Sequence, residues 1–389
     1  MVERIKFSLA APVVAIVVSI LVGSLVLIAS GANPLAAYGE MIRFGFQLET
    51  IVNILNRATP LYLSAVAVAI GFRMNLFNIG VEGQYILAAF MGAAAGAELA
   101  FLPGPLHVVA ILFVSMVTGA VWAAIPAVLK VTRGVSEVIS TIMLNAIATG
   151  FLVSYLLAKW ADQSDTTLNI QTKPIEESGW VPSLNGVLEL FTRDIRPGTE
   201  LYGFLLIAIL VGVIYHVGLK YTRPGFDLRA SGENPAAAEA SGVSPKSTVI
   251  AAMLLSGGIA GLVGLPEILG RTHNFGLQFT RQLGFVGIAV ALLGRNHPVG
   301  IAVGALIIAF LDSSSAVLQV KSDASPEVVK IIQGVIIFTS VVAYEVIRRR
   351  QAVDEARSAA EALAQPSPHG SHGEGAEPMV DPAKQGGRS

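Results

Sequence analysis

Cysteine is absent from all 389 residues, which excludes disulfides and thiolate metal sites. Charge is scarce. Asp, Glu, Lys and Arg make up only 14% of the chain, against about 25% in a soluble domain. The net charge of −1 leaves no electrostatic case for nucleic acid. The sequence also lacks a His/Asp/Glu cluster at ligand spacing, so a metal-dependent enzyme has no support. What the chain has is apolar length. It is 53% hydrophobic with a mean hydropathy of +0.65. Apolar runs of about twenty residues recur from end to end, the length that crosses a ~30 Å hydrocarbon core. These features set an all-α, polytopic membrane protein.

About ten transmembrane helices are expected, one of them discontinuous. They lie near residues 7–30, 50–70, 76–98, 106–129, 135–158, 200–219, 247–266, 282–294, 298–316 and 327–347. The first is read as an uncleaved span, because its apolar core is longer than that of a signal peptide. Polar stretches at 159–199 and 221–246 interrupt the series. Placing both termini in the cytoplasm puts Arg73, Lys130, Arg133, Lys220, Arg223, Arg229, Lys246 and Arg295 on the inner side, as the positive-inside rule asks. The loop 159–199 then lies outside. Residues 1–350 form the membrane domain. In 351–389 a short solvated helix extends the last span, supported by Glu345 and Arg349 at i,i+4. From Pro366 the chain is polar and rich in Pro and Gly, and a disordered tail is expected.

Two stretches imitate an ATPase. GVSPKST (242–248) lacks the second glycine of a phosphate-binding loop and sets Pro245 before the lysine. LSGGI (255–259) lies inside an apolar run. The chain therefore has no nucleotide site or other cofactor site of its own, and any ATP must be bound by a partner. Gly92 with Gly96, and Gly257 with Gly261, have the small-x-x-x-small spacing of close helix packing.

The segment TRPGFDLRASGENPAAAEASGVSPKST (222–248) reads as a docking element. Pro224 and Gly225 break the preceding helix. Asn234 before Pro235 is a helix start, AAAEA propagates it, and SGVSP ends it. Together with FNIGVEGQ (77–84), EVISTIMLN (137–145) and GFVGIAVALLGRNHPVGI (284–301), the stretch RASGENPAAAEASGV (229–243) within it resembles the permease subunits of bacterial ABC importers for nucleosides, within the ribose and branched-chain amino acid permease group. The resemblance reaches across about residues 50–350. It implies a chain that does no chemistry and seats a coupling helix, about Asn234–Ala240, in a groove of an ABC ATPase. Arg229, Gly232, Glu233, Asn234, Pro235, Glu239 and Gly242 map to that contact. It also implies a second permease subunit, an extracytoplasmic solute-binding lipoprotein, a small-molecule substrate, and a place in the bacterial cytoplasmic membrane. The substrate is a nucleoside or similar polar solute, with sugars, branched-chain amino acids and an ion-coupled transporter as alternatives. An ion-coupled transporter would need Glu82, Glu137 or Asp312 as a relay.

FNIGVEGQ places Asn78, Glu82 and Gln84 between two apolar runs, and two readings stay open. In one, a discontinuous helix lines the solute route and these side chains form its polar wall, since broken helices in lipid persist only where they line a cavity. In the other, the stretch is a short cytoplasmic turn with Asn78 as a plain cap. The fifth span has a related polar stripe. At 100° per residue Glu137, Ser140, Thr141 and Asn145 share one arc, and such a stripe turns inward. Ser140, Thr141 and Asn145 are the wall candidates there. Asp312 with Ser313–Ser315 is a weaker case of the same kind.

Overall fold

Small side chains, more than large ones, organise this chain. The computed structural model describes residues 17–18, 20–162, 170–190, 196, 198–321, 328–335, 338–339 and 342. Among them are helices and irregular links, with isolated β-bridges and no strand. Helices α1 (Ile20–Ala29) and α2 (Pro34–Gly45) meet at a 115° bend. Asn33 sets the bend by accepting from Leu35 N–H at 3.0 Å ahead of Pro34 at the first helical position. The long helices follow: α3 (Leu48–Arg73), α4 (Val81–Glu98), α5 (Gly104–Arg133) and α6 (Glu137–Trp160), which carries a π-turn at Ala148–Leu152. Then come α7 (Phe204–Tyr221), α8 (Arg223–Glu233) and α9 (Pro235–Ala240). Last are α10 (Pro245–Thr272), α11 (Leu283–Leu293) and α12 (Pro298–Lys321).

Helix α3 is the central post. Its run SAVAVAIG (64–71) is buried, and it packs against α7, α10, α11 and α12. Lipid tails are as apolar as leucine, so packing rather than water exclusion holds helices together, and small residues permit the closest approach. Helices α5 and α10 show this most directly. A Cβ at Gly119 would overlap the Gly257 carbonyl, and one at Gly261 would overlap the Ser115 carbonyl. The expected glycine pairs are thus packing sites.

Among the described residues, five helices are long and apolar enough to cross a membrane: α3, α5, α6, α7 and α10. The bent pair α1–α2 makes a sixth if taken as one span. The expected ten are not all met. Helix α4 starts with Glu82, Gly83 and Gln84, which lower its hydropathy, and α11 is only eleven residues long. The start of the first expected span, the end of the tenth and all of 351–389 lie outside the described residues.

The ends of the bundle differ. Arg73, Lys130, Arg133, Lys220 and α8–α9 gather at one end, called the basic end below. The loop after α6 covers the other. There Trp180 stacks on His273 with ring centroids 3.7 Å apart, and Thr172 N–H donates to the Phe275 carbonyl at 2.8 Å.

Candidate functional site

FNIGVEGQ is a buried knot. Asn78, Gln84 and Glu82 are 0%, 1% and 5% exposed. The Asn78 and Gln84 amides pair reciprocally, each nitrogen 3.1 Å from the other's oxygen. Asn78 Nδ2 also donates to Ser256 Oγ at 2.8 Å, and Ser256 donates to the Ala67 carbonyl. These partners discharge polar groups that would each cost several kcal/mol unpaired in hydrocarbon. Helix α4 starts later than Asn78 implied. Gly80 occupies its N-cap without a side-chain bond, and Asn78 Oδ1 accepts from Gly80 N–H instead. Asn78 is a tertiary brace and not a helix cap.

Glu82 performs the capping, for another helix. Its two oxygens accept from Gln282 N–H at 2.6 Å and Gly284 N–H at 2.9 Å, at the start of α11. Tyr85 adds a hydroxyl donor at 3.3 Å. Gln282 adopts φ 73°, and a Cβ at Gly284 would press on the Glu82 backbone, so glycine is required there. Helix α11 ends next to Asn296, whose carbonyl accepts from Arg73 Nη2 at 3.0 Å at the basic end. Eleven residues span about 16 Å, about half of a ~30 Å hydrocarbon core, so α11 is too short to cross one alone. The helix that begins inside the bundle is thus α11, and FNIGVEGQ is the surface that receives its N-terminus. A carboxylate there matches the positive end of the helix dipole.

The polar stripe of α6 divides by role. Asn145 bridges the knot, its Oδ1 accepting from Gly83 N–H at 2.9 Å and its Nδ2 donating to the Ile79 carbonyl at 2.9 Å. Ser140 and Thr141 are buried but bond back along their own helix, to the carbonyls of Ser136 and Glu137. Glu137 pairs with Lys130 and accepts from Phe77 N–H at 3.3 Å, fixing the entry to the knot at the basic end. Asp312 pairs with Arg57.

A cavity of about 560 Å³ opens beside the knot, within the size range of small-molecule sites. Glu82, Asn145, Thr149, Arg281, Gln282 and Phe285 are among its lining residues. Asn78, Gln84, Ser140 and Thr141 are not. The π-turn of α6 begins three residues after Asn145, and such turns often mark functional positions. The lining can donate and accept hydrogen bonds and offers the flat, half-exposed face of Phe285. Thr149, Arg281, Gln282 and Phe285 were invisible to the sequence reading, as were Tyr85 and Ser256. A serine beside two glycines in an apolar run was the one usable signal, and it pointed only to Ser256.

The other expected site is at the basic end. Asn234 caps α9 by accepting from Ala237 N–H at 3.1 Å, with Pro235 at the first helical position. Gly242, at φ 83°, closes the turn after it. Glu233, Asn234, Pro235, Glu239 and Gly242 are exposed, while Gly232 is buried and Arg229 half-buried. The Gly232 carbonyl accepts from Asn75 Nδ2 at 3.2 Å. The segment leading into α9 and the knot are therefore joined through residues 73–77.

The family model described as "Branched-chain amino acid transport system / permease component" matches residues 50–341. The chain is 32% identical to the nucleoside ABC transporter permease protein NupB of Lactococcus lactis, over 84% of this chain and 89% of that one. It is 32% identical to the guanosine ABC transporter permease protein NupP of Bacillus subtilis, over 87% and 94%. The glucose ABC transporter permease protein TsgB13 of Haloferax volcanii is also 32% identical, over 84% and 85%. With its apolar helices, its buried polar knot and a match over most of its length, this multi-pass membrane protein belongs to the permease component family of branched-chain amino acid transport systems.

Proposed function

We propose that this chain is the permease subunit of an ATP-driven importer that carries a nucleoside or similar small polar solute inward by alternating access. It sits in the bacterial cytoplasmic membrane with about ten spans and both termini inside. A separate ABC ATPase hydrolyses ATP and docks on α9. A second permease subunit completes the route, and an extracytoplasmic solute-binding lipoprotein delivers the solute. The chain itself carries out no covalent step.

The observation that carries this reading is the cavity against the start of α11. Its wall mixes the polar groups of Glu82, Asn145, Thr149, Arg281 and Gln282 with Phe285 and the aliphatic Ile79, Ile142, Ala146 and Ile288, a lining of the kind small-molecule sites use. Phe285 suits stacking of a base, and Gln282 and Arg281 suit its edge and the ribose hydroxyls. Asn145 and Glu82 spend most of their bonding capacity on the backbone and shape the wall. In this reading Asn78, Gln84, Ser140 and Thr141 support the wall from behind. A sugar is the second reading, favoured by the equal identity to the glucose permease.

Uptake of labelled guanosine, glucose and leucine, measured with the partner subunits co-expressed, tests the proposal. Saturable, ATPase-dependent guanosine uptake that falls at least tenfold in Phe285→Ala is expected. Glucose uptake with no competition from nucleosides would transfer the assignment to sugars. Transport of none of the three in a correctly inserted complex would overturn both readings.

A further inference from the structure

A second cavity, of about 480 Å³, lies between α3, α7 and α12, away from the knot. Its chemistry is graded along its length. On α7 the lining runs Leu205, Ile209, Gly212, Val213 and His216, a single helical stripe, and Lys220 continues it one turn on. Leu55, Ala58 and Tyr62 continue the wall on α3, and Ala302 and Leu306 on α12. At one end the walls are aliphatic. At the basic end His216 and His297 face each other with ring centroids 5.9 Å apart. Lys220 Nζ stands 5.2 Å from the centre of the Tyr221 ring, itself 6.2 Å from His216.

Lys220 supplies the standing positive charge of this corner, and the two imidazoles add hydrogen-bonding groups. None of the described ion pairs includes Lys220, His216 or His297. Partial burial, then the neighbouring His216, Arg73 and Lys220 charges, push the His297 ring below the usual histidine range. One turn deeper, a Cβ at Gly212 would overlap the Tyr62 hydroxyl, so the missing side chain gives that hydroxyl room in the groove. The hydroxyl makes no hydrogen bond to the described protein groups.

We propose that this groove binds one anionic phospholipid. The acyl chain lies along Leu55, Ile209, Ala302 and Leu306. The ester region accepts from Tyr62, and the headgroup phosphate meets His216, His297 and Lys220. An aliphatic slot alone would take any lipid tail. The graded order of chain, hydroxyl, paired imidazoles and lysine matches the order of groups along a phospholipid, and basic pockets near the membrane surface are suited to anionic headgroups.

The full-length chain, purified in mild detergent, is titrated with phosphatidylglycerol and with phosphatidylcholine and read by native mass spectrometry. The wild-type chain is expected to retain one phosphatidylglycerol several-fold more than phosphatidylcholine. Lys220→Gln alone lowers that preference about fivefold, the worth of one basic residue at an anionic surface. The triple variant H216Q/H297Q/K220Q abolishes it. Ala302→Phe, which fills the slot, reduces retention of both lipids. Arg133→Gln removes a charge at the same end but outside the groove and leaves the preference intact. Equal retention of the two lipids by the wild-type chain overturns the site. So does a preference that survives the triple variant, or one that vanishes in Arg133→Gln.

Discussion

The knot at FNIGVEGQ and the helix α9 are both built on an asparagine, and they hold together in opposite ways. Asn234 caps α9 within three residues of itself, on the surface, with Pro235 and Gly242 completing a local unit. Asn78 reaches 178 residues to Ser256, and Glu82 reaches 200 to Gln282, inside the bundle. A local, solvated unit can be changed without disturbing the rest of the protein. A long-range, buried one cannot, because each lost partner strands another group away from water. One part is therefore tolerant of change at the surface, and the other holds a cavity open.

Three variants sharpen this contrast. Glu82→Ala should have the largest effect. It leaves Gln282 and Gly284 N–H without their acceptor, at about 1–3 kcal/mol each, and frees the start of α11. A marked fall in thermal melting of the purified protein, with loss of uptake, is expected; an unchanged melting curve would show that α11 needs no cap. Asn145→Leu comes next. It unpairs Gly83 N–H and the Ile79 carbonyl, again about 1–3 kcal/mol each, but leaves α11 capped. Melting should fall less than in Glu82→Ala, and a larger fall would move the centre of the knot from Glu82 to Asn145. The double change Glu233→Arg with Asn234→Pro should affect stability least. It is expected to abolish uptake and co-purification of the ATPase, while melting falls less than in either knot variant, because the cap and turn it breaks are local and exposed. Uptake and co-purification at wild-type levels would remove the docking role from α9.

The same contrast decides what the sequence could reveal. Helix α9, its cap and its end were legible because every residue that makes them lies between 234 and 242. The membrane class and most of the helices were legible too, since apolar length is a local property. The unusual density of polar residues at 77–84 and the stripe on α6 were visible, but their division of labour was not. Nothing within FNIGVEGQ says that Glu82 serves the backbone of residues 282 and 284, or that Asn78 turns to Ser256. Arg281, Gln282 and Phe285 become cavity residues only because α11 starts in mid-bundle, and a short apolar run does not say where along the membrane it begins.

The bond from Glu82 to α11 also has a meaning in time. Ribosomes add about 5–20 residues per second. The two groups that occupy the Glu82 carboxylate lie 200 and 202 positions later in the chain. For about 10–40 seconds after its own synthesis, then, Glu82 waits with its final partners unmade. Through that interval α4 has no finished place in the bilayer, and the first half of the bundle must stay hydrated at its centre or be sheltered by the insertion machinery. The cavity is complete only once Ile288 has arrived, so its wall is closed by the last third of the molecule to be made.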